Sequence, residues 1–352
     1  MRPNLLLLSL LATACSSTDS APAGGTGTPP PTTPPPGDTT TAPPAPPPPP
    51  VPGTLPPPAT TPTFDACTVT DADAYFGLGG AGAGGGTLYV IGGTGYTRRY
   101  AASSSGACAI TRDATFANGT PDSMNGQIST GDAIQADSSG ALWQSYFGWY
   151  LERDYPAPPV KCSADPSLPD GSKDVNGMIG FFALDPAGTS GFAYYVNAKI
   201  WARVSATSTA CSVAPLTVDQ DFVLSGLSGG VVDSFGRLHV TGVLNGSLAA
   251  AIVGGDGHVT PYGAAAAKAV HADGGTSVRW ARCGDFECVL DLGMQVVQIL
   301  DANGVPRSTA TITFDGSGDV AIAGDATGAV YVMTTAQATS GSLTVQRAIV
   351  KP

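Results

Sequence analysis

The tetrapeptide Asp-x-x-Gly begins at Asp137, Asp174, Asp185, Asp233, Asp301, Asp315 and Asp325. Asp at the first position and Gly at the fourth are what a type I turn with a left-handed exit requires. After three of these turns a strand of alternating character follows at once: "ALWQSYF" beyond Asp137, "RLHVTGV" beyond Asp233 and "AVYVMTT" beyond Asp325. The Gly-rich "GAGGGTLYVIGG" around Leu88 repeats the pattern without the Asp. A single turn-and-strand unit cannot cover its own two faces, so a chain built this way must stack copies of the unit against each other.

Setting the remaining strands beside these turns gives six units that start near residues 74, 131, 178, 229, 274 and 318. Their spacing of roughly 45 to 50 residues is that of four-stranded propeller blades. The sixth unit holds only "DVAIAGD", "AVYVMTT" and "SLTVQRAIV", one strand short. The missing strand is found at the other end of the domain. "DACTVTD", residues 65–71, matches "GACAITRD" in the first unit and "TACSVAPL" in the third, cysteine included. The segment from Cys67 to Thr70 is therefore expected to be the outer strand of the last blade, because a ring must either close or leave an edge exposed. The fold class is all-β: a six-bladed β-propeller of four-stranded antiparallel blades over residues 64–352.

The chain resembles bacterial six-bladed propellers of the NHL type, and "DSSGALW" is similar to the repeat of periplasmic sensor propellers. It departs from that pattern in two places. The fifth unit carries "RCGDFEC" in place of the Asp turn, and the Gly run of the first lacks an Asp.

Ahead of the propeller, "MRPNLLLLSLLATACSS" sets Arg2 before an apolar run too short to span a bilayer, then small residues before a cysteine. Residues 1–14 are expected to be a signal peptide. "ATA" before Cys15 resembles a lipobox and also satisfies the A-x-A rule for ordinary secretion, so lipidation of Cys15 and simple secretion both stay open. Ser16 and Ser17, with no Asp after the cysteine, favour an outer-membrane lipoprotein. Residues 15–63 are then a lipidated cysteine and a linker of Pro, Thr, Gly, Ala and Ser, too poor in large apolar side chains to offset chain entropy. In polyproline II such a stalk reaches up to roughly 150 Å.

The net charge of -11 makes nucleic acid a poor partner. Of 27 acidic residues only Glu152 and Glu287 are glutamates, and an excess of Asp favours turns over helices. Six cysteines follow Cys15. Cys283 and Cys288 flank a four-residue connection within one hairpin and are expected to form a disulfide. Cys67, Cys108, Cys162 and Cys211 take equivalent places on outer strands, where neighbouring Cα atoms should lie beyond the ~7 Å that a disulfide bridges. Burial under the outer strand and bridging through loops both stay open for these four.

Sites with chemistry are sparse. Ser228 lies in a G-x-S-x-G frame, but a strand follows it where a nucleophile elbow needs a helix. His239 takes the place of Trp143 and Tyr331 on its strand, His258 sits in a "GDGH" turn and His271 in a connection between blades, so no zinc site assembles. "DGSKDVNG" offers calcium ligands at Asp170, Ser172, Asp174 and Asn176, with Val175 where the usual loop has Gly and no closing acid. The aromatic stretch Trp143, Tyr146, Trp149, Tyr150 and Tyr155 precedes a long insertion, where exposed rings can stack on a sugar or grip a protein.

Two functions follow as expectations. The first is a monomeric, non-catalytic propeller tethered in the bacterial envelope that binds or scaffolds a protein or a glycan and has no cofactor beyond that calcium. The alternative is a calcium-dependent hydrolase resembling the six-bladed lactonases, in which Glu, Asn and Asp from different blades hold a channel metal. Only Glu152 or Glu287 can supply that Glu, and neither falls on an expected innermost strand.

Overall fold

The computed structural model describes residues 57–58, 60–70, 78–92, 97–103, 106–116, 134–146, 150–155, 158–170, 177–224, 229–264, 267, 270, 278–314, 319–335 and 343–352. Their strands form six sheets arranged as the six expected units.

Two short strands come first, β1 (Asp65–Ala66) and β2 (Thr68–Thr70). Blade one holds β3 (Leu78–Gly84), β4 (Thr87–Gly92), β5 (Thr97–Ala102) and β6 (Ala109–Arg112). Blade two holds β7 (Ile134–Ala136), β8 (Leu142–Tyr146), β9 (Tyr150–Tyr155) and β10 (Val160–Lys161), after which β11 (Ser163–Ala164) leads on. Blade three holds β12 (Ile179–Leu184), β13 (Ser190–Tyr195), β14 (Ile200–Ala206) and β15 (Cys211–Leu216). In blade four the inner edge is two pieces, β16 (Phe222–Val223) and β17 (Gly230–Val232), both paired with β18 (Leu238–Leu244), followed by β19 (Ser247–Val253) and β20 (Val259–Pro261). Blade five holds β21 (Val278–Cys283), β22 (Phe286–Asp291), β23 (Val296–Leu300) and β24 (Pro306–Thr311). Blade six holds β25 (Val320–Gly324), β26 (Ala329–Thr335) and β27 (Leu343–Ile349).

The last blade closes as the sequence predicts, but with fewer residues. Asp65 and Ala66 pair antiparallel with Arg347 and Gln346 of β27, and the Cys67 N–H donates to the Val345 carbonyl at 2.8 Å. From Thr68 the chain then leaves that sheet and runs parallel to β6 on the outer edge of blade one. The expected outer strand over Cys67 to Thr70 is thus divided between two blades. The same step recurs where β10 completes blade two and β11 runs parallel to β15 of blade three.

This step overturns the spacing argument for four cysteines. Cys67 and Cys162 sit at the points where the chain crosses between blades, each beside the outer-strand cysteine of the next one. Cys67 is bonded to Cys108 and Cys162 to Cys211, with Cα separations of 4.5 and 4.3 Å. Outer strands of neighbouring blades are far apart, but a chain passing from one to the other is close to both. Cys283 and Cys288 are also bonded, at a Cα separation of 5.9 Å. They lie on a diagonal of the hairpin, since Cys283 pairs with Phe286 and Cys288 with Ala281.

Five of the seven Asp turns lie among the described residues and form as expected. At each the glycine N–H donates to the carbonyl of its Asp, and Gly140, Gly188, Gly236, Gly304 and Gly328 all have positive φ. Four of them join the first two strands of a blade, whereas Asp301 joins β23 to β24. The turns at Asp174 and Asp315 lie outside the described residues. In blade one the inner strand is the Gly run itself, Leu78–Gly84, ending at a Gly85–Gly86 turn. Crowding near the axis explains this, because a Cβ on Gly84 would stand 2.0 Å from the Asp137 carbonyl oxygen of blade two.

Apolar side chains between the sheets form one layer at each of the six junctions. The layer between blades six and one holds Leu88, Val90, Ile110, Tyr331 and Val345, and that between three and four stacks Trp201 on Phe222 with ring centroids 5.8 Å apart.

Candidate functional site

Among the described residues three places can hold chemistry: the central channel, an open pocket outside blades two and three, and a buried polar cluster between blades four and five.

The channel is lined by the innermost strands β3, β7, β12, β17, β21 and β25, which leave a cavity of about 70 Å³. Its walls are Gly, Ala, Ile, Val and Phe with Trp280, and the polar side chains are Gln135 and Arg282. Gln135 is committed, its amide bonding both the N–H and the carbonyl of Leu184 in blade three at 2.7 and 2.8 Å. No carboxylate lines this cavity among the described residues. Glu152 lies on β9, where its Oε1 accepts from Gln144 at 3.2 Å, and Glu287 lies on β22; both are away from the innermost strands.

The pocket has a volume of about 520 Å³. Its floor is Leu151, Ile179, Val213 and the Cys162 end of a disulfide, and its rim carries Lys161, Ser163, Asp165 and Asp170. Here the crossing from β10 to β11 leads into an Asx turn, in which Asp165 Oδ1 accepts from the N–H and hydroxyl of Ser167 at 2.8 and 2.6 Å. Those two bonds hold the Asp165 carboxyl below its ordinary value. Tyr150 and Tyr195 supply the aromatic surface, with Lys161 Nζ 3.5 Å from the Tyr150 ring centroid. Tyr195 is only 2% exposed, and burial pushes its hydroxyl up to about 12.

Of the residues expected to bind, Tyr150 alone lines this pocket among the described residues. Trp143 is buried in the layer between blades two and three, its indole N–H donating to Asp137 Oδ2 at 3.1 Å. Tyr155 faces the other way, toward blade one, where it receives Arg99 at 3.1 Å and packs edge-on to Phe116. Trp149 lies outside the described residues, as does the side chain of Tyr146. Of the calcium set Asp170 reaches the rim, while Ser172, Asp174 and Asn176 lie outside the described residues. Ser228 and His271 are outside them as well, and His258 is an exposed partner of Asp219 at 2.5 Å.

The buried cluster was legible only in part. In the turns at Asp137, Asp233 and Asp301 one carboxylate oxygen caps the backbone and the other reaches six residues on. Asp137 Oδ1 accepts from the N–H groups of Ser139 and Ala141 while Oδ2 takes the Trp143 indole. Asp233 Oδ1 accepts from Phe235 and Arg237, and its Oδ2 meets His239 Nε2 at 3.1 Å and Arg237 Nε at 2.8 Å. The other ring nitrogen of His239, Nδ1, lies 2.6 Å from the Tyr262 hydroxyl. Glu287 enters from blade five with Oε1 3.6 Å from His239 Nε2. Asp301 and Arg307 form a further buried ion pair in the same blade, and Arg237 also reaches the Ala302 carbonyl there.

Asp233, His239 and Glu287 present ligand-type atoms within 4.8 Å of one another. Charge argues against a cation between them, because the Arg237 guanidinium already occupies Asp233 Oδ2, with Nη2 at 2.7 Å. Burial would raise the Asp233 carboxyl, but the hydrogen bond and charge of His239 and the contacts from Arg237 outweigh it and hold it below its ordinary value. For Glu287 burial prevails. With Asp233 and Asp301 adding to it and His239 and Arg282 opposing, the carboxyl is pushed up to about 7. The spacing of six from Asp to ring was visible in the sequence, whereas nothing in "FECVLD" tells that Glu287 meets a histidine of the preceding blade.

No family model matches the chain, and no curated protein matches it. Solved structures do. It is similar to a Bacteroides thetaiotaomicron protein of unknown function at 13% identity, over 85% of this chain and 75% of that one, with a TM-score of 0.45. It is also similar to PorZ, a surface component of the type-IX secretion system of Porphyromonas gingivalis, at 9% identity over 82% of this chain, with a TM-score of 0.42; the match spans 39% of PorZ. A third is YCF48 bound to a D1 peptide, at 10% identity over 78% of each chain, with a TM-score of 0.37. Identities of this order speak to fold alone.

Proposed function

We propose that the protein is a non-catalytic binding module of the NHL type, held in the bacterial envelope by a lipidated Cys15 and a proline-rich stalk, whose pocket outside blades two and three receives a glycan or a protein segment. The observation that carries this reading is the pocket itself. At about 520 Å³ it falls in the range of ligand sites, and it joins an aliphatic floor and two tyrosines to a rim with charges of both signs. Tyr195, almost wholly buried, forms part of this wall beside Tyr150. The hydrolase reading asks for Glu, Asn and Asp converging in the channel, where the described lining offers Gln135 and Arg282.

The test is binding of the full mature chain to immobilised envelope glycans and to envelope protein extract, compared with Tyr150→Ala and Tyr195→Phe. A loss of tenfold or more in affinity for one ligand class in both variants supports the pocket, and unchanged binding in both sinks it. The tether is tested separately by mass spectrometry of the mature N-terminus, where an unmodified cysteine ends that part of the reading.

A further inference from the structure

Glu287 is the buried group that the binding reading does not use. It is 1% exposed, and its Oε2 is enclosed with no hydrogen-bond partner among the described residues. Everything charged or titratable that faces it comes from two adjacent blades. From blade four come Asp233 in the turn before β18, Arg237 and His239 on that segment, and Tyr262 after β20. From blade five come Arg282, its cross-strand neighbour on β21, and Asp301 with Arg307.

Arg282 does not close the gap. Its Nη1 donates to the Val232 carbonyl of blade four at 2.9 Å, and its Nε is itself enclosed without a partner among the described residues. His239 has both ring nitrogens committed, to Asp233 and Tyr262. An ionised Glu287 would therefore hold a carboxylate oxygen in an apolar layer with nothing to bond it, a short distance from the carboxylate of Asp233. Burying such a charge is among the more expensive arrangements a folded chain can adopt, and a proton on the carboxyl removes it. The contacts that bridge the two blades here, Arg237 to Ala302 and Arg282 to Val232, run through the same cluster.

We propose that the junction between blades four and five is a proton-operated clasp, closed while Glu287 carries a proton and loosened when that proton leaves. The sign follows from the position of the carboxyl. An acid raised in the folded state takes up a proton on folding, so its contribution is complete below the unfolded value near 4.5 and is lost as pH rises through about 7.

The composition makes the test direct. Glu152 and Glu287 are the only glutamates in the chain, so selective carboxyl ¹³C-glutamate labelling of the full protein yields two resonances, assigned by Glu152→Gln. One is expected to titrate close to neutrality. Hydrogen exchange is then followed at pH 6 and pH 8.5, with the rates corrected for intrinsic chemistry. Amides of β18 and β22 are expected to open at least tenfold more often at the higher pH, and those of β13 and β14 to stay unchanged. In Glu287→Gln the pH difference should vanish. Two glutamates that both titrate in the ordinary carboxylate range overturn the proposal, as does a neutral-range titration with no selective opening at β18 and β22. The resonance test uses the wild-type chain at Glu287, so it stands even where Glu287→Gln does not fold.

Discussion

The junction between blades two and three and that between blades four and five solve the same problem with different chemistry. Between two and three the layer is aliphatic and aromatic, with Trp143, Leu151, Phe182, Tyr195 and Val213, and a Cys162–Cys211 bond fastens its outer rim. Between four and five Trp280, Tyr262 and Val289 share the layer with the buried carboxyls of Asp233, Glu287 and Asp301 and with the half-buried Arg237 and Arg307. Covalent and apolar fastening is indifferent to pH. A buried charged network is not, because its stability depends on which groups carry protons. The junction that tolerates a change of conditions is thus the one beside the pocket, and the junction that responds lies elsewhere in the ring.

The comparison can be broken most forcefully at blade five. Asp301 is fully buried and Arg307 is its guanidinium partner, so Arg307→Met leaves an uncompensated charge and should cost about 3–5 kcal/mol in chemical denaturation. A loss below about 1 kcal/mol would mean that the network is less tightly coupled than its geometry implies. Replacing Cys162 and Cys211 together by Ala opens a loop spanning 49 residues and should cost about 4 kcal/mol by loop entropy, with no change in the pH dependence of stability.

Glu287 provides the converse. Its raised carboxyl predicts a loss of roughly 3 kcal/mol between pH 4.5 and pH 7.5 that disappears in Glu287→Gln, measured as the pH slope of the unfolding free energy. A Gln variant that keeps the wild-type slope would assign the response to other groups. The smallest effect is expected at Trp143→Phe, which removes one indole N–H bond to Asp137 and some packing volume, at about 1–2 kcal/mol and equally at all pH values.

Blade number, strand order and closure by the N-terminal segment were legible because turn chemistry and period-two alternation are local and recur. What escaped were features set by the approach of one blade to another. The glycines ahead of Leu88 read as a turn without its Asp, yet Gly82 and Gly84 belong to an inner strand, since only a residue without Cβ fits against blade two there. The cysteines at 67, 108, 162 and 211 were aligned as equivalents, when two of them mark a crossing that no single-blade pattern contains. Tyr150 was found and Tyr195 was not, because Tyr195 lies in an apolar strand indistinguishable from core. Glu287 was weighed only as a channel ligand, and its meeting with His239 depends on blade geometry alone.

The crossing at Cys67 also determines how this ring bears a load. A pull on the chain ahead of Asp65 meets only the short β1 pairing before it arrives at a covalent bond to Cys108. Once that pairing yields, tension is delivered to the outer edge of blade one through sulfur. A domain dragged by its leader would be gripped by two blades at once, and reducing a single bond would be enough to let the seam start to peel.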